Sequence, residues 1–203
     1  MELKKEIDLL QSSVDLISED RKKILQNLAK EIQLIQQEKV NLVFVCTHNS
    51  RRSHLAQIWW QIAVEEFNLS HLQTFSAGTE ATRIHQNTLK ALINQGFSVE
   101  EKYLNESLSE ENPKVDLNYL ATKRLTCFSK TINDKSLPEK FIAVMTCDHA
   151  DENCPFIPNA LKRFSLTYED PKSSDGTPEM QATYLERSRQ IGREALYALS
   201  LLK

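Results

Sequence analysis

The stretch NLVFVCTHNSRRSHLAQIWW, Asn41 to Trp60, passes from an unbroken apolar run through a short polar loop into an apolar helical stripe. No other feature of the chain narrows its fold as much. A continuous run such as Asn41 to Cys46 suits a parallel strand buried on both faces, because a strand with one wet face alternates instead. Leu55, Ile58, Trp59, Ile62 and Ala63 then recur at helical spacing. Thr47 to Arg51 therefore joins the C-terminal end of a strand to the N-terminal end of a helix.

The same alternation repeats downstream. LQTFSAG (72–78) reads as a second strand closed by a glycine turn, and NTLKALINQGF (87–97) as a helix stopped by Gly96. KFIAVMTC (140–147) is a third strand, and RFSLTYEDP (163–171) a shorter fourth that Pro171 ends. Thr177-Pro178-Glu179 opens the last helix with a hydroxyl cap, a proline in the first turn and an acid at the positive end. This order predicts an α/β fold: a four-stranded parallel, flavodoxin-like sheet with helices on both faces. Ligands in such sheets bind beyond the carboxyl ends, at the switch point between strands 1 and 3. Cys46, Cys147 and Asp170 are therefore expected to face one crevice.

Residues 1–38 are predicted to be an N-terminal helical extension. Ile7, Leu10, Val14 and Ile17, then Leu25, Leu28, Ile32 and Ile35, recur at steps of three and four, and Ser18-Glu19-Asp20 is an N-cap that divides them into two helices. The clean heptads are too few for a dimerising coiled coil, so the helices are expected to lie on the body. Residues 39–203 form the main domain, with 101–140 an extended or hairpin insertion.

A formal charge of −3 gives no electrostatic reason to expect nucleic acid or an anionic membrane. No apolar run approaches the roughly 20 residues of a membrane helix, and the first residues, MELKKEIDLLQSSVDL, make a poor secretory signal. Four cysteines in 203 residues do not form a disulfide framework, so a reducing cytoplasm is expected. Cys147 and Cys154 stand too far apart in sequence for zinc ligation, and no metal is expected.

Chemistry concentrates in the first loop. A strand–loop–helix turn aims main-chain N–H groups and the positive helix end at one point, which suits a tetrahedral oxyanion. The same field favours an ionised sulfur at Cys46, and hence a nucleophile. Arg52, in the first helical turn, can hold two anion oxygens with its planar fork. Thr47, His48, Asn49, Ser50, Arg51, Arg52 and Ser53 are the expected anion-binding residues; the Arg51 side chain is read as solvated at the helix start.

In this setting CTHNSRRS resembles the phosphate-binding loop of the low-molecular-weight protein tyrosine phosphatase superfamily, and FSAGTEA the supporting turn after strand 2. The resemblance implies a phosphotyrosine phosphatase I-like fold, a brace between Asn49 and Ser76, and a general-acid role for Asp170 in YEDP. TCDHADENCP is similar to the two-cysteine segment of the thioredoxin-coupled arsenate reductases, a branch of the same fold. That likeness implies a relay in which Cys46 attacks arsenate, Cys147 attacks Cys46, and Cys154 attacks Cys147. Thioredoxin would be the external reductant, with no cofactor bound. Two helical turns from Cys147 to Cys154 would separate their Cα atoms by about 10.5 Å, beyond the roughly 7 Å a disulfide spans, so pairing requires unwinding.

The resemblance covers about residues 40–99 and 141–202. Arg51 stands where many relatives carry a second cysteine, and Lys172-Ser173-Ser174 replaces the aromatic residues that usually follow the Asp-Pro of phosphotyrosine-specific members. Cys127 has no implied role beyond structure. The leading expectation is an arsenate reductase; the alternative is a phosphatase acting on phosphate monoesters through a cysteinyl-phosphate. A non-catalytic anion-binding or redox-sensing module is the third.

Overall fold

A computed structural model describes residues 2–35, 38–105, 110–120, 122–153 and 157–203. Four strands, β1 (Val40–Cys46), β2 (Leu72–Gly78), β5 (Phe141–Met145) and β6 (Ala160–Ser165), form one sheet in the order β2-β1-β5-β6. All three pairings are parallel, with Val45 opposite both Ala77 and Met145. This is the expected flavodoxin-like sheet. Every residue of β1 except Asn41 is buried, and so is every residue of β5. That explains their continuous apolar runs, since central parallel strands have no wet face.

The first sheet face, with Leu42, Phe44, Ile142 and Val144, packs against α3 (Arg52–Glu66) and shares its core with α6 (Met180–Ser200) and both N-terminal helices. α1 (Glu2–Ser12) and α2 (Glu19–Leu34) are separated by the Ser18 cap, whose hydroxyl accepts the Arg21 N–H. Leu3, Ile7, Leu10, Leu25, Leu28 and Ile32 are buried, so the two helices lie on the body as expected. The helix α4 (Gln86–Asn94) ends at Gly96, whose φ of +93° is left-handed. A Cβ there would come within 2.4 Å of the Leu3 main-chain nitrogen, so α1 also needs this glycine in order to dock.

The second face, with Val43, Val45, Ala143 and Met145, is covered by α5 (Asp148–Asn153) and by Ile132, Leu137 and Ile157. Within 101–140 the chain forms an antiparallel hairpin, β3 (Val115–Tyr119) with β4 (Lys123–Cys127), pairing Val115 with Cys127. Burial pushes the Cys127 thiol up to about 12, so it stays protonated in the core.

Two boundaries differ from expectation. β6 starts at Ala160 and ends at Ser165, well before Pro171. It is an edge strand whose Leu161, Lys162 and Arg163 are exposed, so its start has no apolar run to mark it. The last helix begins at Met180 rather than at Thr177; the Thr177 hydroxyl donates to the Ser174 carbonyl, and Glu179 stands at the cap without a side-chain cap bond. Among the described residues no helix is long and apolar enough to cross a membrane.

Candidate active site

Cys46 is the last residue of β1, and Thr47 to Arg51 curl from it into α3. The carbonyl groups of Cys46, Thr47, His48, Ser50 and Arg51 are taken by hydrogen bonds. Thr79 N–H donates to Cys46 O and Glu80 N–H to Thr47 O; His85 N–H bonds Ser50 O, and Leu55 N–H bonds Arg51 O. The hydroxyls of Thr82 and Ser129 both donate to His48 O, at 3.0 and 3.2 Å. Among the described residues, none of the N–H groups of Thr47 to Arg51 donates a hydrogen bond. Asn49 sits at a φ of +44°, a left-handed conformation that asparagine tolerates. With these carbonyls occupied, the free N–H groups form a nest for an anion.

Gly78 permits this shell. A Cβ there would lie 2.4 Å from Glu80 O and 2.7 Å from both Asn49 N and Thr47 O, all main-chain atoms. Gly78→Ala is therefore expected to destabilise the fold by about 1–3 kcal/mol through overpacking and to weaken phosphate binding with it. Thermal denaturation and phosphate calorimetry would check both.

Around the sulfur, Ser53 Oγ lies 3.1 Å from Cys46 Sγ and accepts the Asn49 side-chain N–H at 2.8 Å. The serine hydrogen is thereby left for the sulfur, and is the bond an ionised thiol needs. Ser53 is fully buried and its hydroxyl faces the nucleophile. The expected brace is different. No hydrogen bond joins Asn49 to Ser76. Asn49 Oδ1 accepts the Lys130 N–H at 2.8 Å, while Ser76 donates to Gln57 at 2.6 Å and meets His54 Nδ1 at 3.2 Å. The reason is steric and electrostatic: the buried Lys130 ammonium donates to the Ser76 carbonyl at 3.2 Å, and residues 129–130 occupy the space against the loop. Burial, helped by the nearby Lys130 charge, pulls His54 down to about 3, so its ring is neutral beneath the loop.

Arg52 donates Nη1 to Tyr168 O at 3.0 Å and Nη2 to Asp170 Oδ2 at 2.6 Å. Asp170 precedes a short 3-10 turn starting at Pro171, and its carboxylate also accepts the Lys172 N–H at 3.1 Å. Cys46, His48, Ser50, Arg51, Arg52 and Asp170 line one small cleft. A larger hollow of about 660 Å³ along β2 and the hairpin contains none of them.

Arg51 is not solvated, contrary to expectation. Its side chain is only 12% exposed and reaches Tyr184 Oη at 2.6 Å and Asp175 at 3.1 Å. Tyr184 also donates to Asp175 at 2.8 Å and stacks on His85. Burial pushes this phenol up to about 12, so it remains a donor. His48 is half exposed and turned toward Glu80, at 3.6 Å. Thr47 Oγ1 contacts Cys147 Sγ at 3.5 Å and His149 Nδ1 at 3.3 Å.

Cys147 follows β5 by two residues, and the Thr146 N–H still bonds Val45 O at 2.7 Å. Continuing this register sets Cys147 beside Thr47, one step from Cys46. Cys147 Sγ thus lies against the side chain of the residue that follows Cys46. Both sulfurs belong to one buried cluster with Val45, Met145 and Ala150. Cys154 lies outside the described residues. Among the described residues, no three His, Cys, Asp or Glu side chains gather as a metal centre needs.

Comparison with known proteins agrees with this picture. The family model for low molecular weight phosphotyrosine protein phosphatase matches residues 41–124, which takes in the loop and runs on through the first part of the segment read as an insertion. An arsenate reductase from Halalkalibacterium halodurans is 26% identical over 153 residues, covering 75% of this chain and 89% of that protein. An arsenate reductase from Bacillus subtilis is 25% identical over 152 residues, covering 74% and 88%. A low molecular weight phosphotyrosine phosphatase structure from Vibrio cholerae superposes with a TM-score of 0.55 at 15% identity, covering 80% of this chain and 96% of that one. The likeness in sequence is thus to arsenate reductases and to the phosphatase family model, and the likeness in fold is to the phosphatases.

Proposed function

We propose that this chain, which resembles the low-molecular-weight protein tyrosine phosphatase superfamily and its arsenate reductase branch, is an enzyme that reduces arsenate by a cysteine relay. The observation that carries the reading is that Cys46 and Cys147 share one buried cluster beside the N–H nest, with Cys147 Sγ 3.5 Å from Thr47 Oγ1. A phosphoester hydrolase needs the first thiol only.

In the proposed sequence, the nest and Arg52 hold the oxyanion over Cys46. The Cys46 thiolate attacks arsenic(V) and displaces an arsenate hydroxyl, which takes a proton from solvent and leaves as water, giving a sulfur–arsenic bond. Cys147 then attacks Cys46 Sγ. A disulfide forms, the sulfur–arsenic electron pair stays on arsenic, and arsenite departs as As(III). Cys154 attacks Cys147 and releases Cys46 as thiolate, leaving a Cys147–Cys154 disulfide. A dithiol such as thioredoxin reduces that bond from outside. The deciding assay is the purified protein with arsenate, thioredoxin, thioredoxin reductase and NADPH. No NADPH consumption with active coupling enzymes would rule the reading out.

Hydrolysis of phosphate monoesters is the second reading, favoured by the carboxylate of Asp170 next to Arg52. Phosphate and arsenate share shape and charge, so one loop serves both. In this role Asp170 protonates the leaving oxygen. Asp170→Asn is expected to slow aryl phosphate hydrolysis by about 10²-fold for poor leaving groups and far less for good ones. A series of substituted phenyl phosphates measures this; a uniform loss would remove the acid role.

A further inference from the structure

The N-terminal helices reach the site through three side chains that the proposed chemistry does not use. Arg21, in the first turn of α2, donates Nε to Glu194 Oε2 at 2.9 Å; Nη2 lies 2.9 Å from the same oxygen as an ion-pair contact without a hydrogen bond. Its guanidinium also lies 4.6 Å from the centre of the Tyr168 ring. The Tyr168 hydroxyl donates to the same Glu194 oxygen at 2.9 Å. Tyr168 and Glu194 are both buried, 3% and 2% exposed. Burial first, and then the Glu194 charge, hold the Tyr168 phenol well above its ordinary range, so it stays a donor.

The main chain of Tyr168 faces the site. Its N–H donates to Thr146 O at 3.2 Å, and its carbonyl accepts Arg52 Nη1 at 3.0 Å. Two residues on, Asp170 accepts Arg52 Nη2 at 2.6 Å. Both acceptors of the Arg52 fork therefore lie on residues 168–170, and the buried side chain of Tyr168 anchors that segment. A planar guanidinium is oriented by its acceptors, so a shift of this segment turns the fork.

We propose that Arg21, Glu194 and Tyr168 are positioning residues through which the N-terminal helices hold Arg52 in the orientation that receives an oxyanion. The inference rests on the reading of Arg52 as an anion ligand. It does not depend on whether the enzyme reduces arsenate or hydrolyses phosphoesters. Removing Arg21 leaves the buried Glu194 carboxylate with the Tyr168 hydroxyl and the Gln190 side-chain N–H, at 3.2 Å, as its remaining partners. Burying a charge with fewer partners is unfavourable, so Glu194 shifts toward water and draws Tyr168 with it.

The test uses the full chain with Arg21→Met and, independently, Tyr168→Phe, which keeps the ring but removes its bond to Glu194. Inorganic phosphate is the probe, titrated by calorimetry, and the Arg52 Nε–H resonance is followed by NMR without any anion. Either variant is expected to weaken phosphate binding by about 3- to 10-fold, the size of loosening one charge-assisted contact. The Arg52 resonance should broaden or move in both. A lower melting temperature with unchanged phosphate affinity and an unchanged Arg52 signal would mean that the cluster only stabilises the fold, and the proposal would fall. Wild-type protein that bound no phosphate would count against the proposed function, while the Arg52 signal would still decide the positioning role.

Discussion

Cys46→Ser is expected to abolish arsenate reduction and aryl phosphate hydrolysis together, each by about 10⁴-fold or more. Both readings begin with attack by this sulfur, and a serine hydroxyl does not ionise near neutral pH. The substitution removes little volume at a position 4% exposed. The shape of the loop is held by its outward carbonyl bonds and by Asn49, not by the sulfur. Phosphate binding should therefore survive while turnover is lost. Calorimetry beside both assays separates the two effects. Turnover that persisted in the variant would place the nucleophile elsewhere and sink the mechanism.

The parts of this site that were legible in the sequence are those set by local pattern. The apolar run of β1, the helical stripe of α3 and the polar loop between them predicted where Cys46 and Arg52 would sit. The topology rule for parallel sheets then brought Cys147 and Asp170 to the same end. What the sequence did not disclose is what holds the loop. Lys130 meets Asn49 across 81 positions, and Arg21 meets Glu194 across 173. Neither contact leaves a periodic or compositional trace, because a single long-range hydrogen bond constrains two residues and nothing between them. Arg51 illustrates the same limit: an arginine at a helix start is ordinarily solvated, and only the arrival of Asp175 and Tyr184 buries it. Edge strand β6 was placed too late for a different reason. Its start, Leu161 to Arg163, is exposed and carries two charges, and apolar pattern marks burial rather than pairing.

Cys154→Ser is expected to separate the two activities. Arsenate reduction should stop after about one turnover, because the Cys46–Cys147 disulfide that forms as arsenite leaves has no third thiol to resolve it. The arrested protein should carry that disulfide, visible by mass spectrometry of peptides containing Cys46 and Cys147. Aryl phosphate hydrolysis should be unchanged, since its cysteinyl-phosphate is broken by water with Asp170. The contrast is sharpened by α5. Its six residues, Asp148–Asn153, span about 9 Å at 1.5 Å per residue, beyond the roughly 7 Å a disulfide bridges, so pairing Cys147 with Cys154 is expected to unwind it. Oxidation of the wild type should accordingly open α5 to proteolysis, and Cys154→Ser should keep it closed. Sustained arsenate turnover in the variant, or loss of phosphate hydrolysis with the fold intact, would remove Cys154 from the relay and leave the phosphatase reading as the stronger one.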